Sequence, residues 1–303
     1  MKIALLGAAG FVGRAAALEL SRRPEVGELL LVDYVIKDAK KMAKALSPKC
    51  RYAMADVGKA PELARLLEGI DAVASAVGPC AEYEKTILLT CAAARVPAAS
   101  VGDLPLPPGD RDEIHAAFRS AGLAAVSGCG MMPGWTDLLA AHYLEGAAAT
   151  APSRFLFFSP DRFGGYAFLR DCAKRIGAGA DAPRGAPPGR YFSTPDGSVL
   201  GVPGNKAGAR VARITGSLGK LGTVGKEFAG ASLLWLRGSM TAPPGTPAAV
   251  CGVAAGKRTA RLEDPAGTLG SILLAEAAVR LATRAQGAAG LLPIGDLVGK
   301  EAA

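Results

Sequence analysis

The stretch KIALLGAAGFVGRAAALEL, residues 2–20, decides how the chain begins to fold. Lys2–Leu6 is a short apolar run of strand character, and Gly10–Leu20 has the composition of a helix. Between and within them Gly7, Gly10 and Gly13 form a G-x-x-G-x-x-G pattern. Gly7 permits a tight turn, Gly10 lets the backbone approach a ligand with no Cβ in the way, and Gly13 lets the helix pack closely. The unpaired N–H groups at the start of such a helix, with its positive dipole end, suit a diphosphate. Ala9, Phe11 and Val12 share that turn and are candidate phosphate contacts.

Working outward, the next apolar run is ELLLVD, Glu28–Asp33, which ends in an acidic residue twenty positions after Gly13. A carboxylate there can accept hydrogen bonds from both hydroxyls of an adenosine ribose and repels a 2′-phosphate. Strand, glycine turn, helix and acidic strand end thus occur in the order of a Rossmann dinucleotide-binding unit. NAD is the expected cofactor and NADP the alternative, since lysines follow at Lys37, Lys40, Lys41 and Lys44. Tyr34 and Val57 flank the expected adenosine site, and Asp56 either lies near the adenine or caps a helix N-terminus.

The alternation continues to about residue 130. Asp38–Leu46, Pro61–Leu67, Glu82–Ala94 and Arg111–Ser120 read as helices. Arg51–Ala55, Asp71–Ala76, Ala98–Val101 and Ala124–Ser127 read as strands. Such alternation implies an α/β protein with a doubly wound parallel sheet, and buried parallel strands should be continuous apolar runs. From Cys129 the pattern changes. Gly134–Leu144 reads as a helix, Arg154–Phe158 as a strand, Tyr166–Ile176 as a helix and Gly177–Gly189 as a Gly/Pro-rich loop. Arg210–Thr215 and Ala249–Glu263 suit strands of a second sheet, and Thr268–Arg284 an amphipathic helix. The expected organisation is a dinucleotide-binding Rossmann domain over 1–130, a smaller α/β substrate and dimerisation domain over 131–266, and a C-terminal helix over 267–303 that returns to the first.

Composition narrows the function classes. Of 303 residues half are hydrophobic, and Lys and Arg exceed Asp and Glu by 35 − 27 = 8. The basic residues are scattered, apart from the lysines after Asp33, and no nucleic-acid motif accompanies them, so no nucleic-acid partner is expected. Cys50, Cys80, Cys91, Cys129, Cys172 and Cys251 form no C-x-x-C pair, and with only two histidines they offer no zinc pattern. They suit the core thiols of a reduced cytoplasmic protein, with no metal. No apolar run is long enough for a membrane span, and the N-terminus reads as a strand running into the glycine turn rather than a signal peptide.

Two further segments carry a family resemblance. IDAVASAVGPCAEYEKTILLTCAAARVPAASVGD (70–103) and VSGCGMMPGWTDLLA (126–140) resemble the saccharopine dehydrogenase-like family, which includes saccharopine reductases, lysine dehydrogenases and carboxynorspermidine synthases. The stretch 248–282 is similar to the family's final strands and returning helix. The resemblance implies hydride transfer between a nicotinamide and the carbon of an amine or imine, on a small amino-acid-like substrate, in a homodimer. It places Val77, Gly78 and Pro79 beside the nicotinamide ribose, Gly102 and Asp103 at the cleft, and Gly130, Pro133 and Gly134 at the turn into the substrate domain. Met132 stands where saccharopine reductases carry an acidic residue, and Cys80 where an aromatic one is expected.

Proton transfer needs an acid or base near the ring. Asp103 is the candidate, its other role being to cap the loop before Pro105. Cys80, Gly102, Met132 and Trp135 are candidate substrate contacts, Trp135 being equally suited to packing. Arg170 could hold a carboxylate or lie in solvent, as could Arg162. His142 reads as a core histidine. None of the six tyrosines has a lysine four residues on, which argues against a short-chain dehydrogenase or sugar epimerase. A non-catalytic dinucleotide sensor and a trans-acting enoyl reductase stay open as alternatives.

Overall fold

The computed structural model describes residues 1–102, 106–144, 152–158, 167, 171, 179–194, 197–203, 247–284 and 287–299. They fall into two compact units, Met1–Gly134 with Gly270 onward, and Trp135–Leu269.

The first unit alternates β1 (Lys2–Leu6), α1 (Phe11–Arg22), β2 (Glu28–Asp33), α2 (Ile36–Leu46), β3 (Cys50–Met54), α3 (Ala60–Leu66), β4 (Ala72–Ser75), α4 (Cys80–Ala93), β5 (Ala98–Ser100), α5 (Pro108–Ala121) and β6 (Ala124–Ser127). The sheet is parallel, in the order β6-β5-β4-β1-β2-β3, with a seventh strand β13 (Gly290–Leu292) beside β6. The order reverses between β1 and β4. Ile3 to Leu6 are wholly buried, as befits a strand covered on both faces. β3 is the sheet edge, which is why Arg51, Tyr52 and Met54 are exposed and its sequence is not a continuous apolar run. Ile87, Leu88, Ile114 and Phe118 fill the layer between α4, α5 and the sheet.

Prolines shift three boundaries from the sequence reading. α4 starts at Cys80 behind Pro79, and α5 at Pro108 rather than Arg111. Proline suits the first helical position because its fixed φ is already helical and that N–H has no partner in any case. α3 likewise has Pro61 in its first turn. α5 stops at Gly122, whose φ of 69° lets its N–H and that of Leu123 close onto the carbonyls of Arg119 and Phe118.

The C-terminal segment brings more than the expected helix. α7 (Leu269–Thr283) runs largely within the first unit, but β13 then extends the sheet and α8 (Ile294–Val298) follows. Two leucines between Gly290 and Pro293 are too few to show a period. Arg23, the C-cap of α1, binds Glu276 on α7 at 2.9 Å and Glu19 at 3.0 Å, while Arg280 donates to Glu276 and to the carbonyls of Leu297 and Val298.

In the second unit the sheet order is β12-β11-β7-β10-β9-β8, from β7 (Ser153–Phe158), β8 (Gly179–Ala180), β9 (Gly189–Ser193), β10 (Val199–Pro203), β11 (Ala249–Ala255) and β12 (Arg258–Asp264). Only β7 and β10 pair in parallel. A Cβ on Gly252 would sit 2.2 Å from the Phe155 ring, so this strand glycine is the space the aromatic occupies. Ala249–Glu263, expected as strand of a second sheet, is the antiparallel hairpin of β11 and β12, with Gly256 at φ 57° in its turn. Of the Gly177–Gly189 stretch, the described residues 179–189 contribute β8 to the sheet edge and the first residue of β9, with a turn at Arg184 and Gly185 between them. The expected helix at Tyr166–Ile176, apart from Ala167 and Asp171, and the expected strand at Arg210–Thr215 lie outside the described residues. α6 (Trp135–Tyr143) packs on β11 and β12. His142 on it is exposed, edge-on to Tyr143, and is therefore not a core histidine.

Burial alone would raise the Glu276 carboxyl, but the hydrogen bonds and charges of Arg280 and Arg23 outweigh it and hold the group below the ordinary glutamate range. A depressed folded-state pKa contributes stability that is present above the unfolded value and is lost as pH falls through the folded one. Glu276→Gln should therefore destabilise the chain by about 1 kcal/mol at neutral pH, and its melting temperature should fall less steeply than the wild type's on acidification. Thermal melts across that range check both.

Candidate dinucleotide site

The glycine turn is built from backbone contacts with no space between them. Gly7, at φ 72°, donates to the Val32 carbonyl at 2.9 Å, and Ala8 donates to the same oxygen at 3.1 Å. Gly10 donates back to the Gly7 carbonyl at 3.1 Å. A Cβ on Gly13 would lie 2.0 Å from that carbonyl, and one on Gly7 would lie 2.8 Å from the Ala76 carbonyl. Gly13 thus lets α1 start directly against the turn, and Gly7 lets the turn lie against the end of β4.

The helix that follows has Gly10 as its N-cap, no side chain capping it and no acidic residue in its first turn. The N–H groups of Phe11, Val12 and Gly13 are among those that an α-helix leaves without intrahelical partners. Together with the helix dipole they fit a diphosphate, and a side-chain cap would have filled that place.

Asp33 holds the turn from the other side. One carboxylate oxygen accepts from the Ala9 N–H at 2.8 Å and the other from the Val35 N–H at 2.9 Å. Each oxygen keeps a second lone pair for a ribose hydroxyl. Arg14 donates from Nε to the Ala9 carbonyl at 2.7 Å and lies 3.7 Å from Asp38. Beyond Asp33, Tyr34 is exposed together with Val35, Ile36 and Met54, an apolar group at the carboxyl ends of β2 and β3 that suits a flat base. The sequence reading named only Tyr34. The signal for the others was apolar residues placed just past strand ends, where solvent normally selects polar ones. Asp56 accepts from the Gly58 N–H at 3.1 Å and lies 3.6 Å from Lys59. Lys59, not Asp56, is the N-cap of α3, so Asp56 shapes the loop rather than capping the helix. Val57 is half-buried against the core.

Across the reversal point, Val77 packs on the core and Pro79 is the N-cap of α4, after Gly78. Cys80 is buried, its Sγ 3.6 Å from the Val77 carbonyl. Cys50, Cys91, Cys129 and Cys251 are buried too, as core thiols should be, and burial pushes the Cys91 thiol up to about 12; Cys172 lies outside the described residues. Gly102 follows β5 at φ 51°. Met132 is buried in the turn Gly128–Gly134, where a Cβ on Gly134 would lie 2.2 Å from the Gly130 carbonyl. Trp135 belongs to the second unit and donates its indole N–H to the Leu269 carbonyl at 2.9 Å. Asp103, Arg162 and Arg170 lie outside the described residues. Among the described residues no cluster suits a metal ion, and no helix is long and apolar enough to cross a membrane.

The sequence reading missed a buried acid. Glu84 is 2 % exposed and accepts from the Ser127 hydroxyl at 2.7 Å. It was legible, because Glu84, Ile87, Leu88 and Cys91 form the i, i+3, i+4, i+7 stripe that a helix turns inward.

Residues 3–101 match the family model described as the saccharopine dehydrogenase NADP-binding domain. The N-terminal part of this chain is thus similar to the NADP-binding domain of the saccharopine dehydrogenases. The match spans β1 to the end of β5, and bears out the resemblance drawn from the segment 70–103. The N-terminal unit is accordingly an NAD(P)-binding domain of the dehydrogenase type. Among solved structures, apo saccharopine dehydrogenase (L-Glu forming) from Saccharomyces cerevisiae matches with a TM-score of 0.59 at 13% identity, covering 99% of this chain and 96% of that one. A dipicolinate-bound dihydrodipicolinate reductase from Paenisporosarcina sp. TG-14 matches with a TM-score of 0.51 at 11% identity, covering 96% and 97%. At such identities the likeness is one of fold. No curated protein sequence matches the chain.

Gly13→Ala should force the turn and α1 apart, destabilising the protein by about 1–3 kcal/mol and removing dinucleotide binding. Gly109→Ala, where a Cβ meets nothing within 4 Å, should leave binding unchanged. Calorimetric titration with melting curves for both variants checks this.

Proposed function

We propose that this protein is an NAD(P)-dependent oxidoreductase that transfers a hydride between a nicotinamide and the carbon of an amine or imine in a small, amino-acid-like substrate. The observation that carries the reading is the uncapped start of α1 behind the three glycines, with the Asp33 carboxylate fixed at the end of the neighbouring strand.

The dinucleotide supplies the hydride donor or acceptor. The amides of Phe11, Val12 and Gly13 bind its diphosphate, and Asp33 accepts from the adenosine ribose hydroxyls while its charge disfavours a 2′-phosphate, which supports NAD over NADP. Val77, Gly78 and Pro79 lie on the nicotinamide side of the reversal in strand order, where ligands of open α/β sheets bind. Asp103, directly after Gly102, is assigned the proton exchanged with the substrate nitrogen. The C–N specificity rests on the resemblance to saccharopine dehydrogenases, which is the ground for choosing it over other hydride acceptors.

Titration with NAD and NADP should show tighter binding of NAD, and Asp33→Ala should weaken NAD by about tenfold, the loss of a hydrogen bond to a charged group. Reduced-nicotinamide absorbance with paired 2-oxo acids and amines should show turnover that Asp103→Asn abolishes. Turnover on enoyl thioesters alone, or binding with no turnover on any pair, would overturn the C–N assignment.

A further inference from the structure

Glu84 is an acid in a place that packing alone would give to an apolar residue. It lies on the inward stripe of α4, and its carboxylate is pressed between Ser127 at the end of β6 and Gly102 after β5. A Cβ on Gly102 would sit 2.5 Å from the Ser127 hydroxyl and 3.0 Å from Glu84 Oε1, so the backbone of that loop rests directly on the pair. The neighbouring Cys129 is wholly buried, and its thiol is held in the protonated form first by burial and then by the charge of Glu84. Burying an ionised carboxyl is expensive unless hydrogen bonds hold it. A glutamine would fill the same volume and accept the same Ser127 proton without that expense. What the acid adds over a glutamine is the capacity to carry a negative charge.

Its position in the sheet says where that charge acts. A dinucleotide on a doubly wound sheet crosses the carboxyl ends of the strands at the point of reversal. Here the reversal lies between β1 and β4. Asp33 marks the adenosine half on β2, which leaves the nicotinamide half to β4, β5 and β6. Glu84, Ser127 and Gly102 lie on that side. A nicotinamide ring is positively charged when oxidised and neutral when reduced, and charge in a low-dielectric interior acts over longer range than in water.

We infer that Glu84 is ionised when the dinucleotide is bound, and is a positioning residue that supplies a buried counter-charge under the nicotinamide half of the site and sets the preference for oxidised over reduced dinucleotide. The inference rests on the cofactor reading above, but not on the C–N substrate. It gives the chain a determinant of cofactor redox state in a residue that touches neither the glycine turn nor Asp33.

The test compares the binding of NAD⁺, NADH and ADP-ribose, which lacks the ring, by calorimetry on the full chain. Glu84→Gln should shift the NAD⁺-to-NADH affinity ratio toward NADH by about tenfold, the order expected of one unit charge acting through protein. ADP-ribose affinity should not change, and Glu84→Asp should keep the wild-type ratio. If Glu84→Gln does not fold, Glu84→Met with Ser127→Ala replaces both partners of the buried bond by apolar groups and carries the same comparison. An unchanged ratio in the neutral variant would overturn the inference. So would a loss shared equally by all three ligands, since that is a purely structural role. Failure of the wild-type chain to bind any of the three would instead overturn the cofactor reading, and this inference with it.

Discussion

The Gly7 carbonyl is the point on which the N-terminal unit is assembled. It accepts from Gly10, it occupies the place of a Gly13 side chain, and its own residue rests against the end of β4. Three elements therefore meet at one peptide, and none can carry a Cβ there. The consequence is electrostatic as well as steric. With the turn drawn this close, α1 begins just past the carboxyl end of the central strand β1, with no side chain to cap its first amides. Asp33 then fixes the turn through Ala9, so the carboxylate that would meet a ribose also holds the amides that would meet the phosphates in register. Pre-organisation of this kind leaves less ordering to be done on binding.

Most of this unit could be read from sequence because parallel strands covered on both faces must be apolar throughout, and helices between them must carry a stripe. β1 and β2 obey that rule with no exception that matters. β3 does not, because it is an edge, and an edge strand is half solvent. The elements that escaped notice were short or far away in sequence. β13 has three residues, and what makes it a strand is β6, more than 160 residues earlier. β9 and β10 lie among glycines and prolines whose local signal is turn, and only pairing with β7 through β10 reveals them.

The site divides along the same line. Glycines, a strand-end acid and a Gly-Pro turn are local devices, and each has one physical reason to stand where it does. The apolar group around Tyr34 and the Glu84–Ser127 pair are not local. Val35, Ile36 and Met54 become one surface only when β2 and β3 align, and Glu84 meets Ser127 across 43 residues. Asp56 shows the opposite error, in which a residue with a strong local preference satisfies it in a loop rather than at the helix that begins four residues further on.

The two acids of the N-terminal unit are placed by opposite logic. Asp33 is partly exposed at a strand tip, with each oxygen bound to an amide and each still able to accept from a ligand. Glu84 is withdrawn under a loop, so whatever it does must travel as field rather than as contact. The first arrangement recognises a shape and the second a charge state. Oxidised and reduced dinucleotides share every hydrogen-bonding group on the adenosine half, so no adjustment at Asp33 could distinguish them. Discrimination between the two forms has to come from the half of the sheet where their charges differ, and among the described residues there the buried carboxylate is Glu84.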